Sequence, residues 1–166
     1  MSGQTFSAEL IALAGAVLDA CRSRRIMLAA AESCTGGLIA GSLTEIAGSS
    51  DVVDRGFVTY SNEAKMEMLG VAQDLIARHG AVSEEVARAM AEGALSHSRA
   101  GVAVAVTGVA GPGGGTAAKP VGLVHLAAAR AGRPSLHREC RFGDIGRGPI
   151  RTRAVEAALR LVLDAV

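Results

Sequence analysis

Residues 26–46, IMLAAAESCTGGLIAGSLTEI, decide the fold. The opening IMLAAA is a continuous apolar run, the pattern of a strand covered on both faces. Glu32-Ser33-Cys34-Thr35-Gly36-Gly37 interrupts it with polar residues and glycines, and from Leu38 the apolar residues return at helical spacing to Ile46. Strand, tight polar turn and helix form the repeating step of an α/β protein.

Working outward, the same grammar recurs on both sides. Upstream, Leu10, Leu13, Val17 and Cys21 share one helical face, which predicts a helix over 6–21. Downstream, Gly48-Ser49-Ser50 is a break, and residues 52–60 (VVDRGFVTY) read as a strand rich in β-branched and aromatic residues. Ser61 or Asn62 caps a helix that stops at Gly70; a short helix follows over 74–78, and Ser83 caps a longer one with Glu84 and Glu85 in its first turn. GVAVAV (101–106) is a second buried strand running into Thr107-Gly108-Val109-Ala110-Gly111-Pro112-Gly113-Gly114-Gly115-Thr116. Strands over 120–129 and 135–142 make a hairpin around Gly132-Arg133-Pro134, and an amphipathic helix fills 147–166. With no repeat and no linker, the 166 residues are expected to form a single α/β domain, a mixed β-sheet covered by helices.

Composition narrows the function. Aromatic residues are only 2% of the chain, with one tyrosine and no tryptophan, which suits a base-stacking nucleic-acid surface poorly. A formal net charge of +1 leaves no electrostatic footprint for DNA or RNA. Arginines do cluster, at 22, 24 and 25 and again at 138, 141, 147, 151 and 153, and most are read as a solvated face. Three cysteines without a CxxC pair suit the reducing cytoplasm. The amino terminus lacks a secretory pattern, and no apolar run reaches a bilayer span, so no membrane partner is expected. Four scattered histidines show no metal-ligand spacing, and neither a metal nor a cofactor is expected.

Two polar turns therefore hold the candidate chemistry, because sites in open α/β sheets gather at strand ends. Either could be no more than a tight connection that needs glycine for positive φ. The pair, the second with five glycines in ten residues, favours a site. The glycine loop is not a Walker A loop and lacks a clean GxGxxG; it offers backbone N–H groups to a carbonyl oxygen or a phosphate. Ser33, at the strand-to-helix turn, is the candidate nucleophile, with neighbouring N–H groups to steady an oxyanion. A serine needs a base, and Lys65, in the first turn of its helix, can supply one if burial and the helix dipole keep it neutral. Tyr60 could relay a proton or orient Ser33 and Lys65; equally it could be a half-buried ring with a satisfied hydroxyl. Cys34 is the stronger nucleophile in principle, but adjacent side chains usually diverge, and it is read as a packing residue.

These residues resemble a known family. Residues 31–38 (AESCTGGL), 58–65 (VTYSNEAK), 80–85 (GAVSEE), 107–114 (TGVAGPGG) and 119–122 (KPVG) match, in order, the motifs of the CinA C-terminal domain. The resemblance implies hydrolysis of nicotinamide mononucleotide to nicotinate mononucleotide and ammonia by a metal-free serine amidohydrolase. By motif position, Ser33 is the nucleophile and Lys65 and Tyr60 assist it. Thr35, Gly36, Gly37, Thr107, Gly108, Gly111 and Gly113 would line the substrate pocket. Family habit and apolar content lead us to expect a homodimer. Asp54-Arg55-Gly56-Phe57 stands where the family often has a glycine pair, and Leu123 replaces a common threonine. Many CinA proteins also carry an amino-terminal domain resembling molybdopterin-binding proteins, which has no counterpart in this sequence. An alternative reading is a non-catalytic nucleotide- or protein-binding module serving DNA uptake or damage responses; another is an amidase for a different small carboxamide.

Overall fold

The structure, a computed structural model, describes residues 5–166; the first four residues of the amino-terminal stretch considered above lie outside it. Its elements, in chain order, are α1 (Ala8–Ser23), β1 (Leu28–Glu32), α2 (Leu38–Thr44), a short 3-10 turn, β2 (Val53–Val58), α3 (Asn62–Leu69), α4 (Gln73–His79), α5 (Glu84–Ser96), β3 (Val102–Gly108), β4 (Leu123–Arg130), β5 (Leu136–Arg141) and α6 (Arg147–Ala165). The strands form one sheet in the order β2-β1-β3-β4-β5. β1 runs parallel to both β2 and β3, whereas β4 and β5 are antiparallel additions. The expected mixed, helix-covered sheet is thus present.

Side-chain alternation along the strands divides the core in two. Leu28, Ala30, Val102, Val104, Val106, Val124 and Leu126 face a layer made by α1, α2 and α6. Ala29, Ala31, Ala103, Ala105, Ala127 and Ala129 face the layer of α3, α4 and α5. That second face is almost wholly alanine, so α5 packs close to the sheet through Val86, Ala87, Met90 and Ala94. Closeness extends to the helices themselves: a Cβ on Gly93 would lie 2.1 Å from the Leu69 carbonyl oxygen, so only glycine fits there.

Several boundaries differ from the sequence reading, each for a local reason. β2 ends at Val58 rather than Tyr60 because the chain turns at Thr59 into the Ser61 cap, whose hydroxyl accepts from Ala64 N–H at 3.0 Å. β4 starts at Leu123 rather than Pro120: Pro120 has no N–H to give a ladder, and its carbonyl accepts from Leu123 N–H to close a turn over Gly122 at φ 92°. α2 ends at Thr44, two residues short of the predicted Ile46. Among the described residues, no helix is long and apolar enough to cross a membrane.

What positions a site is the crossing pattern. From β1 the chain moves to β2 on one side, then returns over the sheet through α3–α5 to β3 on the other. The connection after β1 lies on one face of the sheet and the one after β2 on the other, which opens a crevice at the carboxyl ends of β1 and β3.

Candidate active site

Ser33 stands in that crevice, one residue beyond β1. Its N–H donates to the Val106 carbonyl at 3.0 Å, extending the β1–β3 pairing, and its carbonyl accepts from Gly36 N–H at 3.1 Å. The backbone is therefore held from both sides, and the residue keeps 9% of its surface exposed, enough for a ligand to reach Oγ. Lys65 approaches from α3, with Nζ 3.0 Å from Ser33 Oγ.

The surroundings of Lys65 determine its protonation. It is the largest fully buried side chain of the protein, 1% exposed. Nζ donates to the Thr59 carbonyl at 2.8 Å and, more weakly, to the Ser61 carbonyl at 3.5 Å. A neutral amine has two N–H bonds and one lone pair. In that form the two carbonyls would take the N–H bonds and the lone pair would face the Ser33 hydroxyl; in the charged form Nζ donates to Ser33 Oγ. Burial lowers the pKa of Lys65 below the ordinary lysine value, and the opposing influence of Cys34 is smaller. No carboxylate pairs with Lys65 among the described residues.

Glu32, the nearest acid in sequence, is engaged elsewhere. Its buried carboxylate accepts from Thr35 Oγ1 at 2.7 Å and from the Ile39 and Ala40 amides at 2.8 and 3.1 Å. Thr35 therefore points into the protein rather than into the crevice. The turn places Gly36 and Gly37 at φ 60° and 104°, a conformation that favours glycine. Both lie under the start of α2 and outside the pocket wall.

The glycine loop forms the opposite wall. Gly108, Gly111, Gly113 and Gly114 border a pocket of about 280 Å³ together with Ser33, Cys34, Tyr60, Val82 and Arg147. Gly111 has φ 74°, and a Cβ there would come within 2.7 Å of Val121. Thr107, by contrast, is buried and donates to the Ala81 carbonyl at 2.9 Å, so its hydroxyl is already used. Tyr60 is 61% exposed. Its phenol accepts from Arg147 Nη2 at 3.0 Å and makes no hydrogen bond to Ser33 or Lys65. Arg147 also donates to the Gly111 carbonyl at 2.7 Å, fastening the loop to the first turn of α6.

Residues 10–166 match the model of the CinA C-terminal domain. The chain belongs to this family. This CinA domain is 50% identical over 153 residues to nicotinamide-nucleotide amidohydrolase PncC of Escherichia coli K12, covering 92% of each chain. A relative from Caldicellulosiruptor bescii, named for competence-damage induction, is 54% identical over 110 residues; the match spans 66% of the CinA domain described here and 27% of that protein. The chain thus spans about a quarter of one curated relative and most of another. Competence/damage inducible protein CihA from Agrobacterium tumefaciens has the same fold at a TM-score of 0.95 and 55% identity, covering 97% of this chain and 98% of that one.

Of the residues expected at the site, the CinA fold brings Ser33, Lys65, Tyr60, Gly108, Gly111 and Gly113 to one crevice and turns the side chains of Thr35 and Thr107 away from it. Sequence reasoning missed Glu32, Val82, Arg147 and Arg151. The arginines were read with a solvated face, although Arg147 directly follows a glycine at the predicted helix start, where a side chain overhangs a strand-end crevice. Cys34 lies in the core, and burial pushes its thiol up to about 11, away from the reactive thiolate. Cys34→Ala is therefore expected to keep activity within about threefold of the wild type, since losing a small buried side chain perturbs packing and not the reacting groups. A loss as large as that from replacing Ser33 would move the nucleophile to Cys34.

Proposed function

We propose that the chain hydrolyses the carboxamide of nicotinamide mononucleotide, giving nicotinate mononucleotide and ammonia, with Ser33 as nucleophile and Lys65 as base. The 3.0 Å approach of a buried lysine amine to Ser33 Oγ carries this reading. The substrate class is supported by the name of the Escherichia coli relative.

In the first step Ser33 Oγ bonds to the amide carbon and its proton passes to Lys65 Nζ. The carbonyl oxygen takes the negative charge and is held by backbone N–H groups. The C–N bond then breaks, Lys65 returns the proton to the leaving nitrogen, and ammonia departs. The remaining ester is hydrolysed by water, which Lys65 deprotonates in turn. Ser33's own N–H is committed to Val106, and Val109 N–H to the Leu123 carbonyl. The oxyanion donors must come from the amides that follow Ser33 or from the rest of the glycine loop.

Arg147 fits the substrate phosphate. Its guanidinium stands at the pocket rim in the first turn of α6, held by Tyr60 and Gly111, and such a planar fork suits phosphate oxygens. Arg147→Ala is expected to raise KM for the mononucleotide by about ten- to a hundredfold, the loss of a charge-assisted hydrogen bond, with a smaller change in kcat. A tenfold fall in kcat at unchanged KM would place Arg147 at the reacting carbonyl instead.

The longer relatives are named for competence-damage induction, which is where the rival reading of a binding module starts. Such a module has no use for a desolvated amine aimed at a serine hydroxyl. The deciding experiment is ammonia release from nicotinamide mononucleotide by the purified chain with a chelator present. Silence from a folded wild type would leave the binding module as the better account.

A further inference from the structure

We infer that Arg151 and Glu32 are positioning residues for the reaction proposed above. Together they lock the turn after Ser33 in the one orientation that leaves the Cys34 N–H, at the pocket, free for the oxyanion. The inference rests on that reading of the site and adds a device the chemistry requires.

Arg151, one turn into α6, donates from Nε to the Cys34 carbonyl at 3.1 Å and from Nη2 to the Thr35 carbonyl at 3.2 Å. Its guanidinium lies against Gly36, where a Cβ would be 3.3 Å from Nη2. Two successive carbonyls are thereby drawn towards one fork. In a trans peptide the N–H points opposite to the C=O. The Ser33 carbonyl is held by Gly36 N–H, so Cys34 N–H points the other way, and Arg151 fixes that arrangement through the two carbonyls that follow. Cys34 directly follows Ser33 and borders the pocket, and among the described residues its N–H donates to no other residue.

Glu32 holds the same turn from beneath. α2 has a glycine at its cap and no side-chain cap of its own. The Glu32 carboxylate substitutes for it, taking the Ile39 and Ala40 amides, and binds the Thr35 hydroxyl at the same time. A turn with two glycines at positive φ would otherwise have several orientations open to it. A flipped peptide would present a carbonyl oxygen, not an N–H, to the developing negative charge. Removing one oxyanion donor typically costs about 10²–10³ in kcat.

Arg151 is the residue to test, because it is only half-buried and its stem can be kept. Arg151→Met retains the stem and loses the fork; Arg151→Lys keeps a charge that reaches one carbonyl. The expected result for Arg151→Met is a kcat about a hundredfold lower, with KM for nicotinamide mononucleotide within about twofold and the acid limb of the pH profile unmoved. Arg151→Lys should recover part of the loss. Mere loosening of the turn would instead separate Ser33 from Lys65, shifting that limb and raising KM as well. A second readout does not depend on the natural substrate: covalent labelling of Ser33 by a fluorophosphonate, whose phosphoryl oxygen needs the same donors. Labelling should slow at least tenfold in Arg151→Met. Undiminished labelling or undiminished kcat in a folded Arg151→Met overturns the lock. A wild type that labels but releases no ammonia overturns the substrate reading, and the labelling rates still decide the lock. One that does neither overturns both.

Discussion

Ser33→Ala is expected to abolish ammonia release, lowering kcat by about 10⁵–10⁶, the scale seen when a serine hydrolase loses its nucleophile. Substrate affinity should hardly change, because the hydroxyl is a small part of the pocket lining and its one hydrogen bond is to Lys65. The fold should survive, since Ser33 is held through its backbone rather than its side chain. Steady-state assays with binding of the product mononucleotide measure both quantities, and intact-protein mass spectrometry after rapid quench should detect an acyl adduct in the wild type alone. Residual activity within a hundredfold of the wild type would sink the serine mechanism, whatever the substrate.

Lys65→Met is expected to cost nearly as much, about 10³–10⁴ in kcat, the larger part of what general-base assistance provides. The same replacement should change how stability depends on pH, and the sign can be worked out. Burial holds the folded pKa of Lys65 below its value in the unfolded chain, which is near 10.5. Between those two values the unfolded chain binds more protons, so stability rises with pH across the window. Below the folded pKa the full penalty of charging a buried amine applies. Activity should follow the same group, kcat/KM increasing with pH as Lys65 becomes neutral. Thermal midpoints across pH, measured on wild type and Lys65→Met, should show the upward slope only in the wild type. If the slope is identical in both, Lys65 is not the titrating base.

How far the sequence revealed this arrangement depended on the range of each signal. Ser33 was legible because its setting is local: an apolar strand, a polar turn and a helix lie within twenty residues. Lys65 was legible in type but not in environment. The sequence placed it near a helix start, and the structure puts it on the fourth residue of α3, where burial lowers its pKa below the ordinary lysine value. Tyr60 was left open between a role beside the pair and a satisfied hydroxyl, and its phenol is bound to Arg147, eighty-seven residues away. No periodicity encodes a meeting at that separation. Glu32 was passed over for a different reason: a carboxylate capping a helix seven residues downstream has no short-range signature, unlike the Ser61 and Ser83 caps, which sit next to the helices they serve. The alternation of large and small residues between the two faces of the sheet was there to be read in GVAVAV (101–106), which was read only as a buried strand.

α6 brings Arg147 and Arg151 to the site from far along the sequence, whereas Ser33 directly follows the first strand. During synthesis Ser33 and Lys65 leave the ribosome long before the helix that completes their surroundings. Domains fold as units as the chain emerges, and without α6 the sheet face of Val102, Val104 and Leu126 has lost most of its cover. A nascent or prematurely terminated chain would carry a serine and a lysine with no assembled machinery around them. Emergence of α6 is thus the event that completes the surroundings of Ser33 and Lys65.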